Sequence, residues 1–270
     1  LVGSEAGDAL RDADDNVAIG ALALSGDTLG SKSVAIGRGA LKVQNFDSAA
    51  DTYNTAVGYS AGEGITTGVR NTIVGGLAGD AMTIGRYNTA LGFNALTTDI
   101  DGDWSTALGY AALENQESDS ANQAVYNTAV GSYAGANLTT GIYNTFVGGL
   151  SAQSGAVTGD SNVAVGYNTG NALTSGALNT LMGANTGDAL STGFDNVAIG
   201  RSALTTEDTG RKNVAIGSSA LETQNSDVDN FNTAVGFEAG KAVSTGVQNT
   251  FVGASCGDGT DDGASNTAVG

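Results

Sequence analysis

The segment Asn54-Thr55-Ala56-Val57-Gly58-Tyr59-Ser60-Ala61-Gly62 decides the reading, because its first half returns 17 residues later as Asn71-Thr72-Ile73-Val74-Gly75. The same aliphatic-Gly ending recurs from Gly3 through Gly20 and Gly37 to Gly270, sixteen times in all. Eleven of the fifteen intervals are 17 residues long, and the others are 18, 19, 21 and 22. A unit this short cannot hold a helix pair or a propeller blade but suits one coil of a β-solenoid. The sequence therefore predicts an all-β fold, a parallel β-solenoid of about 15 coils spanning residues 1–270 as a single array. Two short strands per coil, stacked about 4.8 Å apart, would make a rod about 70 Å long. Leu1-Val2-Gly3 and Ala268-Val269-Gly270 are pieces of the motif, which suggests a fragment of a longer chain.

Each column of the repeat carries its own expectation. The residue before the motif Gly is aliphatic in all sixteen cases, and two positions earlier stands Val five times or Thr ten times. Side chains two apart share a face of a strand, and an aliphatic column is expected to face the core. The residue between them would then point outward. It is Ala in eleven of sixteen coils but Leu1, Ile73, Phe146, Leu181 and Phe251 in the rest. Such a surface suits close approach of another chain, so Ile73, Phe146, Leu181 and Phe251 are the expected homo-oligomer interface. Asn occupies the next position back in thirteen of fifteen coils, with Ser33 and Ser105 the exceptions. It can form an amide ladder along the axis or take the left-handed conformation at a corner.

Three residues after each motif Gly comes a small side chain, which makes Cys256 a buried substitute for Ala rather than a reactive thiol. The next position is Leu in six coils, each followed three residues on by a polar residue. It is Gly in eight, and seven of those place an apolar residue such as Leu10, Ile65 or Met82 three further on. One core slot is thus filled from either of two positions, as a close-packed interior requires. A third Gly column, seven before the motif Gly, marks a turn, and the three longest coils lack it. Their extra residues form loops near 42–53, 114–126 and 222–231, on one corner where a solenoid commonly binds.

Composition narrows the chemistry. The 270 residues weigh 26.6 kDa and include 42 Gly, one Cys, no His and no Pro; average usage would give roughly a dozen prolines. His-based acid/base catalysis, a His/Cys zinc site and an internal disulfide framework are excluded. A formal charge of −18 repels nucleic acid and anionic membrane surfaces, and no apolar run approaches the roughly 18 residues of a membrane span. The absent Pro fits a stacked coil in which nearly every backbone N–H serves its neighbour.

The strings Asn54 to Gly62, Asn196-Val197-Ala198-Ile199-Gly200-Arg201-Ser202-Ala203-Leu204 and Asn127-Thr128-Ala129-Val130-Gly131 resemble two groups. One is the head domain of YadA-type trimeric autotransporter adhesins, whose repeat reads roughly N-S-V-A-I-G-x-x-S. The other is the N-T-A-I-G-x-x-A-L repeat of phage tail-fibre-like and bacterial surface proteins, similar in period and over essentially the whole chain. The resemblance implies a left-handed β-roll of three chains side by side, serving attachment at a cell surface or on a virion.

Eleven of sixteen aromatics fall into two columns, before the Asn (Tyr53, Tyr87, Trp104, Tyr126, Tyr143, Phe231) and after the motif Gly (Tyr59, Phe93, Tyr110, Tyr167, Phe237). Stacking between coils or chains is the expected role, and a row of faces for sugar rings is the functional alternative. Trp104 beside Asp101 and Asp103, with Tyr53, Tyr126 and Phe231, is the candidate ligand site. Asp99, Asp101 and Asp103 place hard oxygens at alternate positions as calcium ligands would, yet lack the EF-hand register, so an acidic turn is the expected reading and no cofactor is required. The Thr column could bind ice, though sharing a face with core aliphatics argues against it. A glycosidase needs a carboxylate pair across a groove, and none stands out. The expected function is a non-catalytic extracellular fibre segment that mediates attachment to a surface glycan or receptor, the alternative being a purely structural filament.

Overall fold

The computed structural model describes residues 1–259 and 261–270, which fall into two compact units, 1–140 and 141–270. Each unit is a parallel β-solenoid, together about 15 coils at roughly 17-residue spacing, without a helix among the described residues. In the first unit the strands run from Val17–Ile19 and Val34–Ile36 through Thr55–Val57, Thr72–Val74, Thr89–Leu91 and Thr106–Leu108 to Thr128–Val130. Each pairs in parallel with the next, so that Thr55 lies beside Thr72 and Val57 beside Val74. The second unit repeats this from Thr145–Val147 to Thr267–Val269. One three-residue strand per coil forms, not two. The opposite side of the coil is turn, and a second short ladder, Gly30–Ser31 with Ala50–Asp51, appears only where an insertion returns to the preceding coil.

The strand faces are the reverse of the sequence expectation. Ile73, Phe146 and Leu181 are 0% exposed and Phe251 is 1% exposed, whereas Ile19, Leu91 and Met182 are 42%, 47% and 44% exposed. Ile73, Phe146, Leu181 and Phe251 therefore belong to the core and cannot form an interface with another chain. The alternation has the expected period and the opposite phase. Two flanking apolar columns outnumber one column of alanine, so hydrophobicity alone points them inward. The solenoid is too narrow for that: its interior accepts Ala nearly everywhere.

Volume complementarity shows why. The residue four after the motif Gly has positive φ in every coil, whether Gly62, Leu41 or Leu96. Where it is Leu, the neighbouring strand centres are Ala, as with Leu96 between Ala90 and Ala107. Where it is Gly, a large centre fits. A Cβ on Gly240 would come within 2.9 Å of the Phe251 ring, and one on Gly62 within 2.9 Å of Ile65 Cδ1. The shared core slot is thus real. The small column three after the Gly is buried as expected, except that Cys256 is only half-buried, since no described turn stacks over it.

The asparagines form the amide ladder. Asn71 donates its backbone N–H to Asn54 Oδ1 at 2.9 Å and its amide to the Gly85 carbonyl at 2.8 Å, and Asn88, Asn162, Asn179 and Asn196 repeat the arrangement. The left-handed corner falls one residue earlier, at Tyr53, Arg70, Tyr87 and Trp104.

Candidate functional site

Turning the centre of each strand inward turns its flanks outward. Val or Thr in one column and Val, Ile, Leu or Met in the other line one face of each unit without a single charged residue. The two aromatic columns border this face. Tyr87 and Phe93, or Trp104 and Tyr110, stand six residues apart on either side of one strand. The face thus combines a column of Thr or Val with a column of aliphatic side chains, between aromatic margins.

In the first unit the column before the Asn is a continuous ladder. Lys32 lies over the Tyr53 ring, and the Arg70 guanidinium sits 6.0 Å from Tyr53 and 5.4 Å from Tyr87. Tyr87 stacks on Trp104 at 4.0 Å and 6°, and Trp104 on Tyr126 at 5.9 Å and 15°. The structure thus joins Tyr53, Trp104 and Tyr126 in one row and adds Lys32, Arg70 and Tyr87. Their faces lie against one another along the row, so the rings present edges and hydroxyls to solvent instead of platforms for sugars. In the second unit Phe231 receives Lys212, 4.9 Å from its ring. The other aromatic column contains Arg38 over Tyr59 and the stack of Phe93 on Tyr110.

The three aspartates of 99–103 go separate ways. Asp101 accepts from the Thr83 hydroxyl, Asp103 pairs with Arg86 at 3.1 Å, and Asp99 turns inward to Gln116. Their carboxylates do not converge, and among the described residues no group of three His, Cys, Asp or Glu is placed to hold a metal ion.

The feature sequence reasoning missed lies at the three insertions. The polar residues that follow Leu24, Leu41, Leu96, Leu113, Leu204 and Leu221 are all buried: Asp27, Gln44, Asp99, Gln116, Glu207 and Gln224. They form three stations, each an acid in the coil before an insertion and a glutamine at the insertion's start. At the first, Gln44 donates to Asp27 Oδ2 at 2.6 Å and accepts from the Asn54 amide at 2.8 Å, while Asp27 accepts the Gly30 N–H. At the second, Gln116 donates to Asp99 and to Ser105 Oγ and accepts from Asn127. At the third, Glu207 accepts from the Gly210 and Ser226 N–H groups and from the Asn230 amide. The legible signal was the coincidence of a polar residue with a long coil.

The stations explain the two serines in the asparagine column. An Asn amide is satisfied by the glycine carbonyl 14 residues on, and insertion coils lack that glycine. Ser33 and Ser105 stand at two of these places and bond the station glutamine instead. Asn213 stands at the third, and its buried amide nitrogen has no acceptor, whereas the amides of the column's other asparagines all find one. Relief of a buried unpaired donor is worth about 1 kcal/mol or more. Asn213→Ser should therefore stabilise the protein and raise its melting temperature by about 2–4 °C, read by calorimetry; a lower melting temperature would contradict this account of the serines.

Compared with known proteins, the chain matches no family model, no curated protein and no solved structure.

Proposed function

We propose that the protein is a non-catalytic extracellular fibre segment, a homotrimer whose chains meet through the outward strand face and whose insertion corners make the contact for attachment. The observation that carries this reading is the uncharged two-column face with its aromatic margins. Left bare to water, a face of this kind is unusual for a monomer. The insertion corners have the opposite character. Asn45, Asp47, Ser48, Glu117, Asp119, Ser120, Asn225 and Asp227 are exposed and polar, as suits a recognition surface held on a rigid scaffold. In the second unit Asp208, Asn225, Ser226, Asp227, Val228 and Thr245 line an open depression of about 640 Å³. Binding on a glycan array by the intact protein, lost when loops 42–53, 114–126 and 222–231 are shortened to the glycine turn of the other coils, is the expected result. Binding that survives shortening contradicts the role of the corners, and no binding at all favours the structural filament.

One observation supports a second reading. Thr55, Thr72, Thr89, Thr106 and Thr128 lie in register on five successive strands, and they face outward, which removes the objection that they share the core. A regular array of hydroxyls and methyls at the strand spacing is suited to ordered water. Thermal hysteresis in a freezing assay would support ice binding, and its absence leaves self-association as the use of this face.

A further inference from the structure

We propose that the buried carboxyl groups of Asp99 and Glu207 are proton-operated latches that hold the insertion loops 114–126 and 222–231 more tightly as the pH falls. A buried carboxylate can take up a proton in place only if a partner can turn from donor to acceptor. Asp99 has such a partner in Ser118, whose hydroxyl lies 3.2 Å from Oδ1. Glu207 has one in Asn230, whose amide can turn over because its oxygen faces the rotatable Ser226 hydroxyl at 3.3 Å. Asp27 has none. It accepts from the Gly30 N–H and from Gln44, and Gln44 is fixed by the Asn54 amide on its oxygen.

No opposite charge favours ionisation at either latch. Asp99 is faced by Gln116, Ser118 and the N–H groups of Gly102 and Asp101, and Glu207 by Asn230 and the N–H groups of Thr209, Gly210 and Ser226. The neighbouring charges are engaged elsewhere: Asp101 with Thr83, Asp103 with Arg86, Asp208 with Ser191 and Asp227 with Thr209. Burial accordingly pushes both carboxyl groups above the usual range. A closed station then binds its proton at a pH where an opened, solvated one is still ionised. Closure is favoured below the raised value, and the gain is lost as the pH rises through it. Ser118 and Ser226 both belong to the loops, so what the proton strengthens is the attachment of the loop to the coil beneath.

Amide hydrogen exchange of the full chain at about pH 7.5 and about pH 5, corrected for the intrinsic exchange rate, tests this. Protection of 114–126 and 222–231 should rise several-fold on acidification while that of 42–53 does not. Ser118→Ala, which deletes one half-exposed hydroxyl, should abolish the response at 114–126 and leave it at 222–231. Glu207→Gln, which copies the neutral acid, should hold 222–231 at its low-pH protection throughout. Equal responses at all three loops, no response, or an unchanged response at 114–126 in Ser118→Ala would overturn the proposal.

Discussion

Phe251→Ala is expected to lower the stability of the folded chain by roughly 3–5 kcal/mol. Phe251 is among the largest buried side chains, and the space it fills exists only because Gly240 and Gly257 stand against its ring. Gly240 cannot move to close the cavity, since its turn is tied to the next coil, where its N–H donates to the Cys256 carbonyl at 2.8 Å. The neighbouring residue offers the contrast. Val252 is 38% exposed, so Val252→Thr should alter the stability of a single chain by no more than about 0.5 kcal/mol. Urea denaturation of the two variants checks the phase of the strand; a greater loss from Val252→Thr than from Phe251→Ala would mean the opposite face is inward.

Gly92→Ala is expected to be as damaging for a different reason. The motif glycine holds φ at +145°, and a Cβ placed there would lie 2.2 Å from the Gly109 carbonyl oxygen. The dihedral alone costs about 1–3 kcal/mol, and the collision adds to it because the obstacle is backbone of the next coil. Relief would require widening the stack at a point where Gly92 N–H bonds the Leu91-side neighbour Val74 at 2.8 Å and Gly109 N–H bonds Leu91 at 2.8 Å. Gly259→Ala is the control, since nothing lies within 4 Å of its added Cβ. A melting temperature unchanged by Gly92→Ala would show that the coils do not stack this closely.

These two substitutions also mark what the sequence disclosed. The period, the parallel stacking, the shared core slot and the three insertions were legible because they are properties of spacing. The inward direction was not. Thr55, Ala56 and Val57 alternate whichever way the strand faces, and only the room inside the coil decides that Ala goes inside; that room is already so full that a Cβ on Gly62 would lie 2.9 Å from Ile65 Cδ1. The third glycine column was located correctly as a corner, but its reason is crowding. Gly68 has no positive φ, and a Cβ there would lie 2.5 Å from the Gly85 carbonyl.

The candidate site was legible in part. Tyr53, Trp104 and Tyr126 share a row because residues at one position of the repeat must stack, and Arg70 belongs with them by the same rule although it is not aromatic. The buried stations were hidden because Asp27, Asp99 and Glu207 have the composition of a solvated turn. Their burial depends on partners supplied by the insertions, Gln44 for Asp27, Gln116 for Asp99, and Ser226 and Asn230 for Glu207, and on the loss of a glycine that only the long coils share.

The central claim is that the uncharged outward face joins three copies of the chain. Sedimentation equilibrium of the intact protein, alone and with Leu91→Lys and Leu108→Lys combined, tests it most directly. Both leucines lie on that face, on adjacent paired strands, and neither fills the core. A mass three times the 26.6 kDa of the chain, falling to that of a single folded chain in the double variant, is the predicted result. A folded wild-type protein of 26.6 kDa would contradict it.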